Sequence, residues 1–438
     1  MGDRLNLRVP EPVVRIARTL ERSGFETWCV GGAVRDALLG HAHLDWDLAT
    51  AATPPQVRAL FRRTIPVGVE FGTIGVLDSQ GTMHEVTTFR RDVQTDGRHA
   101  VVEFGASLDD DLARRDFTIN AIAYSPTTHD LRDPFSGRAD LQRGVVRAVG
   151  VAAERMREDR LRALRALRFA ARFGFRIEDA TWRAIVDSAS YLGRLSPERV
   201  KQELEKTMQQ VERPSTALSL WRESGAFAAV VPSLASVSAL TLSAVDAIPR
   251  PLREKHAHRV INRFTVLFSE LAPREVERAL RALRFSNRDV AWITSVLERW
   301  RAVGDAITAA LAAPTPPNDA VVRRWVGTIG RTYTASVLRV GAARWCAMRE
   351  AQIAAPAAGR VASLYRGALR IAFHDPIELS DLAVDGDDLR RAGIPPGPLL
   401  GRVLDRLLDL VIESPARNTR DQLIALALTI YAELQQEP

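Results

Sequence analysis

Cysteine is nearly missing from this chain of 438 residues: Cys29 and Cys346 are the only two, far apart in sequence. They make neither a disulfide framework nor a paired metal or redox motif, so stability must come from packing, and a reducing, cytoplasmic setting is expected. Long apolar runs are missing as well. None approaches the roughly 20 residues of a membrane-spanning helix, and no membrane partner is expected. The start of the chain carries no signal-peptide pattern, because Glu11, Arg15 and Arg18 interrupt any apolar segment. Lysine is scarce, so the net charge of +7 rests on arginine. That excess suits a polyanion such as nucleic acid. Because Ala and Arg abound throughout and can reflect base composition alone, where the arginines cluster is more informative than how many there are. Repeats and low-complexity tails are also lacking. The 46% hydrophobic content is ordinary for a globular protein, and the length exceeds one compact core, so two or more domains are expected.

Periodicity divides the chain. Residues 12–22 read as an amphipathic helix. From 26 to about 150 the pattern is mixed, with strand candidates at 27–30, 44–49, 73–77, 83–88, 100–104, 119–124 and 145–149. Beyond 150 apolar residues recur at i, i+3 and i+4, and strand signals vanish. The expected class is α+β: a mixed-sheet head followed by a long helical region.

Chemistry concentrates in the head. Gly31 and Gly32 follow the short apolar stretch Trp28-Cys29-Val30 and precede a helical pattern from Ala33 to Leu39. Backbone amides at a helix start bind phosphate oxygens, and glycine lets the backbone come close. Arg35 lies one turn further on. About a dozen residues downstream comes Asp45-Trp46-Asp47. In an extended segment the two aspartates share a face and raise the cost of ionising each other. A divalent ion with oxygen ligands, Mg²⁺ above all, would neutralise them; a solvated turn is the plainer reading. Glu85, on the alternating segment 83–88, becomes a third carboxylate if its strand lies beside the pair, and an exposed strand glutamate otherwise. Arg114 and Arg115 match phosphate geometry, Asp116 suits holding a guanidinium or a ribose hydroxyl, and Asn120 suits a sugar or backbone partner. A surface ion-pair cluster is the alternative there.

The run Glu158 to Phe169 reads as one helix. Arg162, Arg165 and Arg168 recur every three residues, and Asp159 shares a face with Arg162. A solvated basic stripe would look similar, but Leu161, Leu164 and Leu167 make the opposite face apolar, so the helix is packed. A carboxylate beside a guanidinium imitates a base-pairing edge. It accepts the amino groups of cytosine and adenine and rejects the carbonyls of uracil and guanine.

Together these segments resemble the class II tRNA nucleotidyltransferases and bacterial poly(A) polymerases of the polymerase β-like superfamily. The resemblance rests on five motifs in order: Gly31-Gly32-x-x-Arg35-Asp36 with Asp45-x-Asp47; Arg114 to Ala121; Asp133-Pro134-Phe135-x-Gly137 with Asp140-Leu141; Glu158-Asp159-x-x-Arg162-x-x-Arg165-x-x-Arg168-Phe169; and Ser196-Pro197-Glu198-Arg199-Val200 with Glu203-Leu204. It implies a catalytic head over 1–150, a helical neck over 151–215 carrying the nucleotide-selecting helix, a helical body over 216–375 and a tRNA-binding tail over 376–438. By resemblance Asp45, Asp47 and Glu85 are catalytic and bind Mg²⁺. Gly31, Gly32, Arg35, Arg115, Asp116, Asn120, Asp159, Arg162, Arg165 and Arg168 bind the nucleotide. The implied reaction adds C, C and A to the tRNA 3′ end from CTP and ATP. CC-only or A-only addition, poly(A) synthesis, and a non-catalytic RNA-binding role are the alternatives. Arg160 stands where relatives often have proline. Segment 91–100 occupies the place of a flexible loop. Asp385-Gly386-Asp387-Asp388 reads as a loop and helix cap rather than a second metal site. Residues 310–375 match no known pattern.

Overall fold

The computed structural model describes residues 5–41, 45–95, 100–249 and 256–436. The chain forms two compact units, Met1–Ala235 and Ser236–Pro438, a coarser division than the four segments suggested by the sequence.

The first unit opens with helix α1 (Glu11–Arg22), whose apolar stripe buries Val13, Ile16, Ala17 and Leu20. Strand β1 (Thr27–Val30), helix α2 (Gly32–Leu38), strand β2 (Asp47–Thr50), helix α3 (Pro54–Leu60) and strands β3 (Thr64–Gly68), β4 (Thr73–Leu77) and β5 (Met83–Thr88) follow. A hairpin of β6 (Arg90–Thr95) and β7 (Ala100–Phe104) leads to helix α4 (Leu108–Ala113), then β8 (Ala123–Tyr124), β9 (Leu131–Arg132), helix α5 (Gly137–Arg143) and β10 (Val145–Val146). Helices α6 (Ala152–Glu158) and α7 (Leu161–Phe173), strand β11 (Arg176–Ile177) and helices α8 (Asp179–Ser188) and α9 (Pro197–Gln210) come next. Seven strands make one sheet in the order β3-β4-β5-β2-β1-β8-β9. Only β2 and β5 run parallel; the other neighbours are antiparallel.

Register decides what faces the site. Asp47 lies opposite Val30 and Leu48 opposite Cys29, while Leu48 pairs with Val86. Alternation therefore puts Cys29, Leu48 and Val86 on one face, all fully buried or nearly so. Val30, Asp47, Ala49, Glu85 and Thr87 take the other. Over that second face α4 packs Leu108 and Leu112 against Val30, Ala49 and Phe89, which anchors the arginines that follow α4.

The strand expected over 44–49 begins at Asp47, with Asp45 just before it, outside any strand, and Leu44 outside the described residues. Strand β3 escaped notice because Pro66 and Gly68 interrupt it; an edge strand tolerates both. Segment 119–124 contains a 3₁₀ turn, Thr118–Asn120, before β8, because the side chains of Thr118 and Asn120 bond elsewhere. Of 145–149 only Val145 and Val146 form a strand, paired with β11, an exception to the all-helical expectation beyond 150. The supposed loop at 91–100 is mostly the β6–β7 hairpin; its tip, residues 96–99, lies outside the described residues. The helix expected over 158–169 is broken at Asp159, where φ is −144° and ψ is 105°.

In the second unit the long helices Asn287–Ala312 and Arg331–Glu350 are followed by Ala358–His374. Its last helices, Pro398–Glu413 and Arg420–Gln436, share a core with Leu389, Val403, Leu407, Leu423 and Ala427. Asp385 caps the helix Gly386–Arg391, accepting from the amides of Asp387 and Asp388. Among the described residues no helix is long and apolar enough to cross a membrane.

The Asp133–Asp140 motif has a structural role. Asp133 accepts from the amides of Gly137 and Arg138 at 2.7 and 2.9 Å, and Asp140 accepts from the Thr118 hydroxyl at 2.8 Å. A Cβ on Gly137 would lie 2.1 Å from the Thr118 carbonyl oxygen. The helix start is thus pressed onto the turn that carries Asn120. Gly137→Ala is therefore expected to destabilise the protein by about 1–3 kcal/mol through overpacking. An unchanged urea midpoint in this variant would show that the contact is not tight.

Candidate active site

Gly31 follows β1 with φ 77° and caps α2. L side chains rarely adopt that conformation. Space demands glycine there too: a Cβ on Gly31 would meet Arg115 Nη1 at 3.0 Å. The turn and the arginine thus lie against each other at one wall of a cavity of about 490 Å³. Nine basic side chains and three carboxylates (Asp47, Asp116, Asp159) line that cavity. Such an excess of cations, packed at this density, suits a polyphosphate.

Asp47 stands at the start of β2 on the cavity wall, accessible to solvent. Protein around it and the neighbouring Glu85 push its carboxyl up to about 6. Asp45 adds to the effect and Arg115 opposes it. The parallel pairing of β2 with β5 brings Glu85 to this face, as the sequence suggested it would if the strands were adjacent. Among the described residues no three His, Cys, Asp or Glu side chains converge closely enough to form a ready ligand set. Still, the donors are all carboxylate oxygens that repel one another, the hard set a divalent cation neutralises.

Behind the wall runs a chain of paired polar groups. Arg35 is buried, stacked 4.7 Å from the Phe173 ring and 5.1 Å from Phe169. Its Nε donates to Asp36 at 2.7 Å and its Nη1 to Asn120 Oδ1 at 2.6 Å. Burial lowers the Arg35 pKa, and Asp36 offsets that in part. Asn120 in turn donates through Nδ2 to Asp116 at 2.9 Å, and Asp116 accepts from Arg165 Nε at 2.8 Å. Burial alone would raise the Asp116 pKa, but Arg165 and Asn120 hold it below the usual carboxylate range. Asp116 therefore fixes Arg165, and Arg115 is held instead by Asp111, at 3.0 Å. The Arg115 Nε is buried with no hydrogen-bond partner, and its Nη1 lies beside the Gly31 turn.

Asp159 and Arg162 also line the cavity, although they do not share a continuous helix. The Asp159 carboxylate caps the Leu161 amide at 3.0 Å, which explains the break between α6 and α7. Arg199 holds the same carboxylate at 2.8 and 3.0 Å. Arg162 donates to Glu158 at 2.6 Å and to the Arg114 carbonyl at 2.8 Å. Arg168 is buried against Glu203 at 2.7 Å. Burial lowers its pKa and Glu203 counters this. Arg160 stacks 4.5 Å from the Tyr191 ring outside the cavity.

Sequence reading assigned no role to Asp36, Arg172, Arg199, Glu203, Lys206 or Gln210. Arg172 lies one helical turn beyond Arg168, four residues on rather than three, and it donates to Asp36 at 3.2 Å. Arg199 and Glu203 lay inside the fifth motif, but their partners are 40 and 35 residues away, and no local pattern reveals that pairing.

Comparison with known proteins places this geometry. Residues 27–147 match the family described as the poly A polymerase head domain. Residues 174–237 match a probable RNA and SrmB-binding site of polymerase A. The CCA-adding enzyme of Geobacillus kaustophilus is 36% identical over 95% of this chain and 96% of its own. That of Lactiplantibacillus plantarum is 34% identical over 94% of each. The crystal structure of the Bacillus stearothermophilus CCA-adding enzyme in complex with CTP superposes with a TM-score of 0.76 at 31% identity, covering 97% of this chain and 98% of that one. With such similarity along nearly its whole length, and with residues of four of the five motifs gathered around one cationic cavity, the chain belongs to the family of CCA-adding enzymes.

Proposed function

We propose that this protein is a tRNA nucleotidyltransferase that adds C, C and A to the tRNA 3′ end from CTP and ATP. The observation that carries the reading is the convergence on one cavity of Asp47, the Gly31–Gly32 turn and nine basic side chains. A relative with 31% identity has been crystallised with CTP. Poly(A) synthesis is less well supported, because the relatives that match along the whole chain are CCA-adding enzymes.

In this reading Arg115 and the glycine turn hold the triphosphate. Arg165, oriented by Asp116, and Arg168, oriented by Glu203, complete the binding of phosphate and sugar. Asp159 accepts from the amino group of cytosine or adenine while Arg162 donates to the ring. The tRNA 3′-hydroxyl gives its proton to solvent, its oxygen forms a bond to the α-phosphorus, the bond from that phosphorus to the bridging oxygen breaks, and pyrophosphate leaves with the electron pair. Bound by Asp45 and Asp47, with Glu85 beside them, Mg²⁺ ions would activate that hydroxyl and neutralise the leaving group. A cytoplasmic site of action fits the two unpaired thiols.

Purified protein with Mg²⁺ is expected to extend tRNAs ending at the discriminator base, at C or at CC, to a complete CCA end and no further. Incorporation of only one nucleotide type, or long A tails on unrelated RNA, would defeat the reading. Arg162→Ala is expected to admit UTP at roughly tenfold or greater efficiency relative to CTP, since one good bidentate contact discriminates by about 1–3 kcal/mol. Unchanged rejection of UTP excludes Arg162 from base selection.

Asp47→Asn should abolish incorporation and also stabilise the metal-free protein. A carboxyl raised to about 6 binds its proton more tightly folded than unfolded. Stability is therefore lost as pH rises from about 4 through 6, and the penalty is fully present above. With EDTA at pH 8 the variant should gain about 1 kcal/mol once solvent screening is allowed for, and at pH 4 nothing. Equal thermal midpoints at pH 8 contradict the electrostatic account.

A further inference from the structure

The sheet face that carries Asp47 and Glu85 is covered over only part of its width. On β1, β2 and β8 it lies under Leu108 and Leu112. Over β3, β4 and the start of β5 it is open and apolar: Ile65 and Val67 on β3 and Met83 on β5 are exposed at 41, 43 and 42%. Gly75 sits between them. A Cβ there would meet Met83 Sδ at 2.7 Å and Val67 Cγ2 at 3.0 Å, so both side chains lie across the strand where it has none of its own. At the β3–β4 turn Phe71 is 48% exposed. Arg90 donates to its carbonyl and stands 5.9 Å from its ring. A contiguous apolar surface of this kind, bordered by an aromatic ring and an arginine, is unusual on a protein exterior and is how single-stranded nucleic acid is held without regard to sequence.

We propose that this open face is the platform on which the single-stranded 3′ end of the tRNA lies during addition. The proposal rests on the tRNA reading above and specifies where that substrate sits. The arginine cavity lies on the β1 side of Asp47 and takes the triphosphate. In-line displacement requires the attacking hydroxyl to come from the side opposite the leaving pyrophosphate, which is the side of β5, β4 and β3. At strand spacings of about 4.8 Å, β4 and β3 stand roughly 10 and 14 Å from β2, room for about three or four stacked nucleotides. Sequence tolerance is required there, because the terminal base differs at each successive addition. Apolar stacking meets that need where hydrogen-bond readout would not.

The test is the double variant Val67→Ser with Met83→Ser, and separately Phe71→Ala; all three positions are exposed, so folding should be preserved. The KM for tRNA lacking CCA is expected to rise roughly tenfold, with the KM for CTP and the thermal midpoint unchanged. On a tRNA whose last nucleotide is abasic, the unmodified protein should weaken to the same level and the variants should lose nothing further. Wild-type tRNA KM in the variants overturns the platform, as does an equal loss on intact and abasic ends. So does a variant that is monomeric where the unmodified protein is dimeric, with tRNA KM unaltered, since the face would then belong to a second copy of the chain. Direct binding of fluorescent CCA-less tRNA separates the two readings. Protein that binds but incorporates nothing defeats the proposed activity, while weaker binding by the variants still supports the platform.

Discussion

The pairing of Asp116 with Arg165 is the contact on which the site depends. Asp116 follows α4, whose apolar residues rest on the sheet, and Arg165 belongs to α7. Their bond at 2.8 Å ties the sheet that carries Asp47 to the helix that carries Arg162 and Arg168. Asn120 then connects Asp116 to Arg35, and Asp36 closes the chain by pairing with both Arg35 and Arg172. Buried ion pairs are weak sources of net stability, because desolvation offsets the attraction. Removing one partner is nevertheless costly, about 3–5 kcal/mol. The value of this network is positional: each guanidinium has a fixed partner and a fixed direction before any nucleotide arrives, so the ordering cost is met during folding.

The same cavity contains a deliberate imbalance. Asp111, Asp116, Glu158, Asp159 and Glu203 partner the arginines, yet nine cations still outnumber the three carboxylates lining the space. At Asp47 the imbalance reverses, since Glu85 and Asp45 both disfavour its charge. Opposite excesses held side by side are unfavourable for the empty protein, and a polyphosphate with its divalent counter-ions satisfies both. Sites of this type are less stable than a neutral core would be, and the instability is a consequence of what they bind.

How much of this was legible in the sequence follows from the range of each interaction. The glycine turn, the Asp-x-Asp pair and the arginine spacing are local, and their residues do meet in one cavity or at its edge. Glu85 required the pairing of β2 with β5, which alternation suggested but could not register. The break at Asp159 was hidden because the arginine stripe continues through it; a capping carboxylate overrides periodicity over two residues. Arg35 follows the turn and lines the cavity, and the partners that fix its guanidinium, Asn120 and two aromatic rings, come from distant parts of the chain that no local pattern reveals. Edge strand β3 was invisible because its proline and glycine are turn signals everywhere except at a sheet margin.

That edge strand completes the logic of the head. A seven-stranded sheet with one face fully covered would leave the carboxylates enclosed on both sides, with an entrance for the nucleotide and none for the RNA. Here, among the described residues, the apolar cover supplied by α4 reaches β1, β2 and β8, and Ile65, Val67 and Met83 beyond it stay exposed. In the proposed reading the polar, arginine-rich half takes the substrate whose charge is constant at every step, a triphosphate. The apolar, uncovered half offers surface to the substrate whose terminal base changes at every step. One set of carboxylates between them can then serve successive additions without any part of the protein reading the growing end.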